Sequence, residues 1–341
     1  MSLSLQHSVS VALSTLFVAA GLSVTPVHAA SDSLVLYNGQ HKDATSALIQ
    51  AFEKKTQIKV ESRDGKSNEL AHQIIAEGDK SRADILYTEE SSPQVMLAQD
   101  GLLAEINAET LENIPSDYRD AENRWTGVLG RSRVVVYNPD MIDEADLPTS
   151  VMDLQGDEWE GRFAFVPTSG AFQKQLSAMI KLEGRDTAKS WLEGLKKHGK
   201  IYRKNTVVLD AVERGEIDFG LINNYYWDRQ AKEKGKENMT SRLYFFGTND
   251  LGDMLTVASM GILKSSDNQD AAQQFIAFAV SEEGQQILTD KSAQYPLNTQ
   301  AETHPDLKPF AELTPPKGTL DLGEYGDGKA AVELLQEVGL L

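Results

Sequence analysis

At 341 residues the chain has room for two domains of ordinary size, and 40% hydrophobic with 25% charged residues places it among soluble globular proteins. Its 51 acidic against 33 basic residues leave a net charge of −18 with no lysine- or arginine-rich block, which argues against nucleic acid or an anionic membrane as partner. Cysteine is absent, so disulfides, thiolate metal sites and cysteine nucleophiles are excluded together.

Met1 to Ala30 contains no Asp, Glu, Lys or Arg. Val9 to Val24 is an apolar run too short to span a bilayer comfortably, and Val27-His28-Ala29 has the small-residue pattern of a cleavage site. Residues 1–29 therefore read as a signal peptide, with an n-region whose positive charge rests on the terminal amine and His7. The mature chain, from about Ala30, is expected to be soluble outside the cytoplasm.

Leu34 to Asn38 reads as a first short strand, and Ala44, Ala47, Leu48, Ala51 and Phe52 follow at helical spacing. Ile58 to Glu61 is a second strand, after which Ser67 or Asn68 can cap a helix running to Ala76 and carrying Leu70 and Ile74. Ala83 to Tyr87 is a third. Strands alternating with helices imply a parallel sheet that binds ligands at the carboxyl ends of its strands. Those ends carry Asn38-Gly39-Gln40-His41 and Thr88-Glu89-Glu90.

Trp125 to Asn138 is expected to carry the chain into a second sheet, where the pattern restarts. Phe163 to Val166 is a strand, Thr168 to Phe172 a turn into a helix reaching Lys181, and Thr187 to Lys197 a helix with Ala188, Trp191, Leu192 and Leu195 on one side. Asn205 precedes a helix holding Val208, Ala211 and Val212, and Ile217 to Asn223 is the next strand. Leu255 to Leu263 is an apolar strand able to return to the first domain, followed by a helix with Ala272, Phe275, Ile276 and Ala279. Beyond Pro316 come a loop with Gly and Asp and a last helix, Ala330 to Val338. The fold class is α/β in two lobes, residues 30–131 with 256–306 and 132–255 with 307–341, around a cleft able to close by hinge motion. A two-domain enzyme would keep its pocket in the same place.

The densest polar cluster is Asn223-Asn224-Tyr225-Tyr226-Trp227. Adjacent side chains of an extended strand point to opposite faces, so two phenols reaching one target require the backbone to turn there. Trp227 to Gly235 reads as the helix that follows, stopped by glycine. Paired phenols suit a hard, highly charged cation, because phenolate is an anionic oxygen ligand. Two amphipathic aromatics packed with their hydroxyls at the surface are the plainer reading.

With His41 and Glu89, the tyrosines make a set of one imidazole and three anionic oxygens, which balances Fe³⁺ and leaves coordination positions open. Taken singly, His41 is equally a helix-start cap and Glu89 a solvated carboxylate. Ser169-Gly170-Ala171 at a helix start outlines an anion site with Asn205 and Asn223 as further donors, although Ser169 and Asn205 are also ordinary N-caps. In the functional reading a small oxyanion fills the metal's open positions. Gly65-Lys66-Ser67 looks like the end of a P-loop, but Val60 stands where its first glycine belongs, and no His-Glu-x-x-His or Gly-x-Ser-x-Gly occurs. His72, His198 and His304 read as surface residues.

Five blocks stand in order between Leu34 and about Asn298: Tyr37-Asn38-Gly39-Gln40-His41-Lys42, Gly130-Arg131-Ser132-Arg133, Val166-Pro167-Thr168-Ser169-Gly170-Ala171-Phe172, Asn223-Asn224-Tyr225-Tyr226-Trp227 and Tyr295-Pro296-Leu297-Asn298. On them the chain closely resembles the periplasmic ferric-ion-binding proteins, the substrate-binding subunits of iron(III) ABC importers. The resemblance implies a two-lobed periplasmic binding protein fold of type II, no catalysis and a place in the periplasm. It implies Fe(III) as cargo with a synergistic anion, phosphate or carbonate, and delivery by a soluble monomer to an inner-membrane ABC permease with its cytoplasmic ATPase.

The positions matching the family's iron ligands are His41, Glu89, Tyr225 and Tyr226, and those matching its anion contacts are Ser169, Gly170, Ala171, Asn205 and Asn223. Glu90 departs from the pattern, standing where relatives carry glutamine; a carboxylate there would repel an anion or contend with Glu89 for the metal. Two other classes stay open. A ferric-tyrosinate oxygenase wants a second histidine, which no expected strand end offers, and a carrier of an oxyanion or an iron chelate would have to tolerate the acidic cleft.

Overall fold

The computed structural model describes residues 33–247, 249–303, 307–313 and 328–341. The expected signal peptide, His304 and the loop after Pro316 lie outside them. The chain begins with β1 (Ser33–Asn38), α1 (Lys42–Thr56), β2 (Lys59–Asp64), α2 (Ser67–Glu77), β3 (Ile85–Thr88) and α3 (Ser92–Gln99). Ala44, Leu48 and Phe52 recur every four residues along α1 and are buried, the spacing that turns one helix face to a sheet. β1 pairs in parallel with β2 and with β3, so all three end at the same edge.

The long strand β4 (Trp125–Tyr137) follows, then β5 (Phe163–Phe165), α4 (Gly170–Glu183), α5 (Arg185–His198), β6 (Lys200–Ile201), α6 (Asn205–Glu213), β7 (Phe219–Asn223) and α7 (Asn224–Lys234). The chain closes with β8 (Arg242–Tyr244), β9 (Leu255–Ile262), α8 (Gln269–Ala279), α9 (Glu282–Ser292), β10 (Tyr295–Pro296) and α10 (Lys329–Val338). No helix among the described residues is long and apolar enough to cross a membrane.

β4 is the strand that makes two lobes out of one sheet. Its first part, Trp125 to Ser132, pairs antiparallel with β9, which also pairs antiparallel with β3. Its last part, Arg133 to Tyr137, pairs with β7, and Val135 to Tyr137 pair with β8. β5 lies parallel to both β7 and β6. The strand therefore changes partners between Ser132 and Arg133, and all its residues are buried.

The apolar core divides at the same place. One cluster gathers Leu34, Phe52, Leu86, Leu129, Val257 and Phe275, with Phe310 and Leu313 packed against it. On the other side of the handover, Phe163, Phe172, Trp191, Phe219 and Leu335 form one cluster, and Val134, Val208, Val212 and Ile222 form another. The result is the expected two-lobed α/β architecture, with antiparallel crossing strands added to the parallel ones.

Two local expectations fail for clear reasons. Ser67 begins α2 at its first residue, Lys66 holds the N-cap position and no side chain caps the helix; the Ser67 hydroxyl is engaged instead by the backbone N–H of Glu89 at 3.0 Å. His198 is 3% exposed rather than at the surface, because the inward face of α5 continues from Trp191 and Leu195 to that last residue.

β7 carries Gly220 because a Cβ there would collide with Val208 of α6. Adding one to this packed contact forces a shift of strand or helix, with a loss of about 1–3 kcal/mol. Gly220→Ala is expected to lower the urea midpoint, with the unfolding free energy falling by that amount, and Val208→Ala in the same chain to recover part of it. An unchanged midpoint for Gly220→Ala would show that the β7–α6 contact is not tight.

Candidate functional site

β1 and β3 end side by side and deliver the first lobe's polar groups. Gly39 donates its backbone N–H to the Tyr87 carbonyl at 2.7 Å, and its Cα lies so close to Ser67 that a Cβ would stand 2.9 Å from the Ser67 Cα. Asn38, buried at the end of β1, holds the loop: its Oδ1 accepts from the Gln40 N–H at 3.0 Å and the Thr45 hydroxyl at 3.1 Å, and its Nδ2 donates to Asp64 at 3.0 Å. The Gln40 side-chain oxygen then accepts the His41 N–H at 2.8 Å. His41 occupies the N-cap position of α1, yet its side chain makes no capping bond. Glu89, one residue beyond β3, is fixed by the Ser67 hydroxyl.

The second lobe supplies the phenols. The backbone leaves the extended conformation after Asn223, and Tyr225 and Tyr226 are the second and third residues of α7, with ring centroids 4.2 Å apart. The turn is thus where two adjacent aromatics on one target require it. The amides before them are anchors: Asn223 Oδ1 accepts from Arg133 Nη1 at 3.1 Å, and Asn224 Oδ1 accepts from the Ser132 N–H at 3.0 Å. Both partners belong to β4 at its handover point. His41 meets Tyr225 across the cleft edge-on, with centroids 5.4 Å apart.

A cavity of about 290 Å³ collects these groups. Glu89, Tyr225, Tyr226, Ser169, Gly170, Ala171, Asn205 and Asn223 all line it, and His41 stands beside it against Tyr225. Neither Ser169 nor Asn205 is spent on capping: Ser169, at the N-cap of α4, makes no capping bond, and Asn205 is already inside α6. Asn205 Nδ2 reaches Ser169 Oγ at 3.5 Å, while its buried Oδ1 has no partner. Two helix starts, α4 and α6, therefore converge on one cavity with their N–H groups, an arrangement that favours an anion.

The cations were not singled out from sequence. Arg131, buried at 4% exposure, lines the cavity, with exposed Arg203 and Lys204 at its edge. Arg133 lies beneath, also buried, with its Nε donating to Gln175 at 3.3 Å; burial pulls its guanidinium down to about 10, opposed by the two phenols. The block Gly130-Arg131-Ser132-Arg133 carried the signal, since alternate residues of one strand share a face.

Burial pushes the Tyr225 phenol well above its ordinary range, with Tyr226 and Glu89 adding to the rise and Arg131 opposing it. Burial likewise lowers His41 below its ordinary value, Glu89 opposing and Arg131 and Arg229 assisting, so the imidazole is neutral at pH 7. A neutral imidazole is the form that ligates metals. Among the described residues no three His, Cys, Asp or Glu side chains are grouped for a metal, so a metal held here draws on the phenols.

The model of the bacterial extracellular solute-binding protein family matches residues 81–317. A relative from Neisseria meningitidis, named major ferric iron-binding protein, is 41% identical over 330 residues, covering 95% of this chain and 97% of the relative. A Serratia marcescens relative, named Fe(3+)-binding periplasmic protein, is 36% identical over 313 residues, with 92% of each chain covered. Among solved structures, iron-bound HitA from Pseudomonas aeruginosa superimposes with a TM-score of 0.85 at 48% identity, covering 90% of this chain and 99% of that one.

Arg131 opposes the burial of Tyr225, so its loss has a defined sign. Replacing Arg131 with methionine is expected to raise the pH at which Tyr225 ionises still further. Ultraviolet difference titration, with Tyr225→Phe to identify the transition, reads the shift; a lower or unchanged midpoint would contradict this electrostatic role.

Proposed function

Because the chain belongs to the bacterial extracellular solute-binding proteins and, among them, to the periplasmic ferric-ion-binding proteins, we propose that it closes its lobes on one ferric ion and delivers it to an inner-membrane ABC permease. His41 and Glu89 from the first lobe and Tyr225 and Tyr226 from the second are the ligands. The observation that carries this reading is the pair of phenols, 4.2 Å apart on one lobe, facing His41 of the other at 5.4 Å between rings. Two phenolates and one carboxylate balance the charge of Fe³⁺, and oxygen-rich sets favour hard cations.

Iron bridging the lobes interacts differently with the open and closed forms, which is what a ligand needs to shift that equilibrium. The permease, coupled to its cytoplasmic ATPase, then recognises the closed form from the periplasm, the chain acting as a soluble monomer without catalysis. A phosphate or carbonate ion completes the metal's coordination from the α4 start, held by Ser169, Gly170, Ala171, Asn205 and Asn223. The donors of Ser169, whose hydroxyl makes no capping bond, and of Asn205, whose Nδ2 lies 3.5 Å from it, support that subsite.

Tyr225→Phe/Tyr226→Phe is expected to abolish ferric binding in a competition assay and to leave the circular dichroism unchanged. Tight binding by the double variant would sink the ligand assignment, and phosphate binding that needs no iron would favour an oxyanion carrier. The pH dependence has a defined sign. The Tyr225 phenol, raised by burial, holds its proton until metal displaces it, and His41 must stay neutral to bind. Proton release accompanies binding, so affinity falls as pH falls. Iron retention against a fixed competitor is expected to drop between about pH 7 and pH 4, through the reference range of imidazole and then carboxylate. Retention unchanged to about pH 4 would contradict the set.

A further inference from the structure

The lobes also meet away from the phenols. Lys174, in the second turn of α4, donates to the Ser92 hydroxyl of α3 at 2.9 Å, and both residues are buried. Beside them Glu90 reaches from the β3 end of the first lobe to the start of α4: a Cβ built on Gly170 would stand 3.6 Å from Glu90 Oε2. The same oxygen lies 3.9 Å from Arg131 Nη2. Glu90 does not line the anion cavity, and its backbone is pinned, the carbonyl accepting from Thr88 Oγ1 at 2.7 Å and Ser259 Oγ at 3.3 Å. Burial raises the Glu90 carboxyl, with Arg131 and then Lys174 opposing and Glu89 assisting, and lowers the Lys174 ammonium to about 8, with Glu90 opposing.

We infer that Glu90 and Lys174 form a latch between the lobes, two opposite charges that become buried partners only when the cleft closes and so fix where α4 comes to rest against the iron site. This rests on the reading of the chain as a carrier that closes on its cargo. The carboxylate that interrupts the family pattern at position 90 thus stands between Arg131 of its own lobe, 3.9 Å away, and a second cation, Lys174, brought by the opposite lobe.

A buried ion pair adds little net stability over its hydrated partners, yet removing one partner strands the other charge. In an open cleft both charges face water, so the penalty of leaving buried Glu90 with Arg131 alone, at 3.9 Å, falls on the closed form. Lys174 is in this sense a positioning residue, acting through Glu90 and the placement of α4.

The test is a double-mutant cycle on the full mature chain loaded with ferric iron and phosphate, reading the rate of iron loss to excess EDTA. Lys174→Met is expected to release iron about tenfold faster than the native chain, within the range of coupled neighbours, with its visible absorption band unmoved. In a Glu90→Gln background the same substitution is expected to change the rate by less than about twofold, since no charge is left to strand. Equal acceleration in both backgrounds, or none in the native one, would overturn the latch. Lys174→Gln carries the same cycle if the methionine variant does not fold.

Small-angle scattering of the four metal-free proteins separates this from the carrier reading. Lys174→Met should be more open than the native chain and the double variant should revert towards it, whether or not iron binds. A native chain that takes up no ferric iron would end the carrier reading. The latch would then stand or fall on the scattering, with identical radii in all four proteins counting against it.

Discussion

The site depends on one backbone corner. At Asn223 the strand β7 stops being extended, α7 begins, and two consecutive phenols come to lie 4.2 Å apart instead of on opposite faces. That corner is not free-standing, because Asn223 and Asn224 are tied to Arg133 and Ser132, the residues at which β4 passes from one sheet to the other. The phenols are therefore registered against the crossing strand about which the lobes are joined. Any movement of the lobes leaves this corner fixed relative to the second lobe and carries His41 and Glu89 towards or away from it.

The electrostatics follow from the same placement. Two guanidiniums, Arg131 and Arg133, are buried beneath oxygen-bearing side chains that burial keeps in their neutral forms, Tyr225 among them. Such a site is poised rather than satisfied: it has cations enough to tolerate phenolates, but no group of its own charged enough to create them. On the proposed function a trivalent cation supplies that charge and displaces the phenolic protons as it binds. Two helix starts open onto the same cavity, and beside it Lys174 of α4 meets Ser92 of α3 close to where Glu90 approaches Gly170.

Much of this was legible in the sequence. The strands and helices of both lobes carried clear periodicity, as in Ala44, Leu48 and Phe52 or Trp191 and Leu195, and the polar residues at the strand ends fell where parallel strands expose them. α9 was not legible, because its apolar positions are few; the better signal was its cap, Ser281 accepting from the Gly284 N–H at 3.2 Å ahead of two acidic residues. α3 was hidden for another reason: it is buried nearly all round and shows no single apolar stripe. The short strands β6, β8 and β10 have two or three residues each, too few for any period to register.

In the site, residue type revealed what could ligate but not what each side chain was already doing. Ser67 looked like a helix cap and instead fixes Glu89; His198 looked exposed and is the inward end of α5. Lys174, on an apparently ordinary helix, became interpretable only when tertiary structure set it against Ser92 and near Glu90.

The measurement that tests the central claim most directly is a visible absorption titration of the metal-free mature protein with chelated ferric iron, in the presence and absence of phosphate. A broad tyrosinate-to-iron charge-transfer band that saturates at one iron per chain, and shifts or strengthens with the anion, is the predicted result. A folded protein that develops no such band would contradict it, because Tyr225 and Tyr226 would then not be iron ligands.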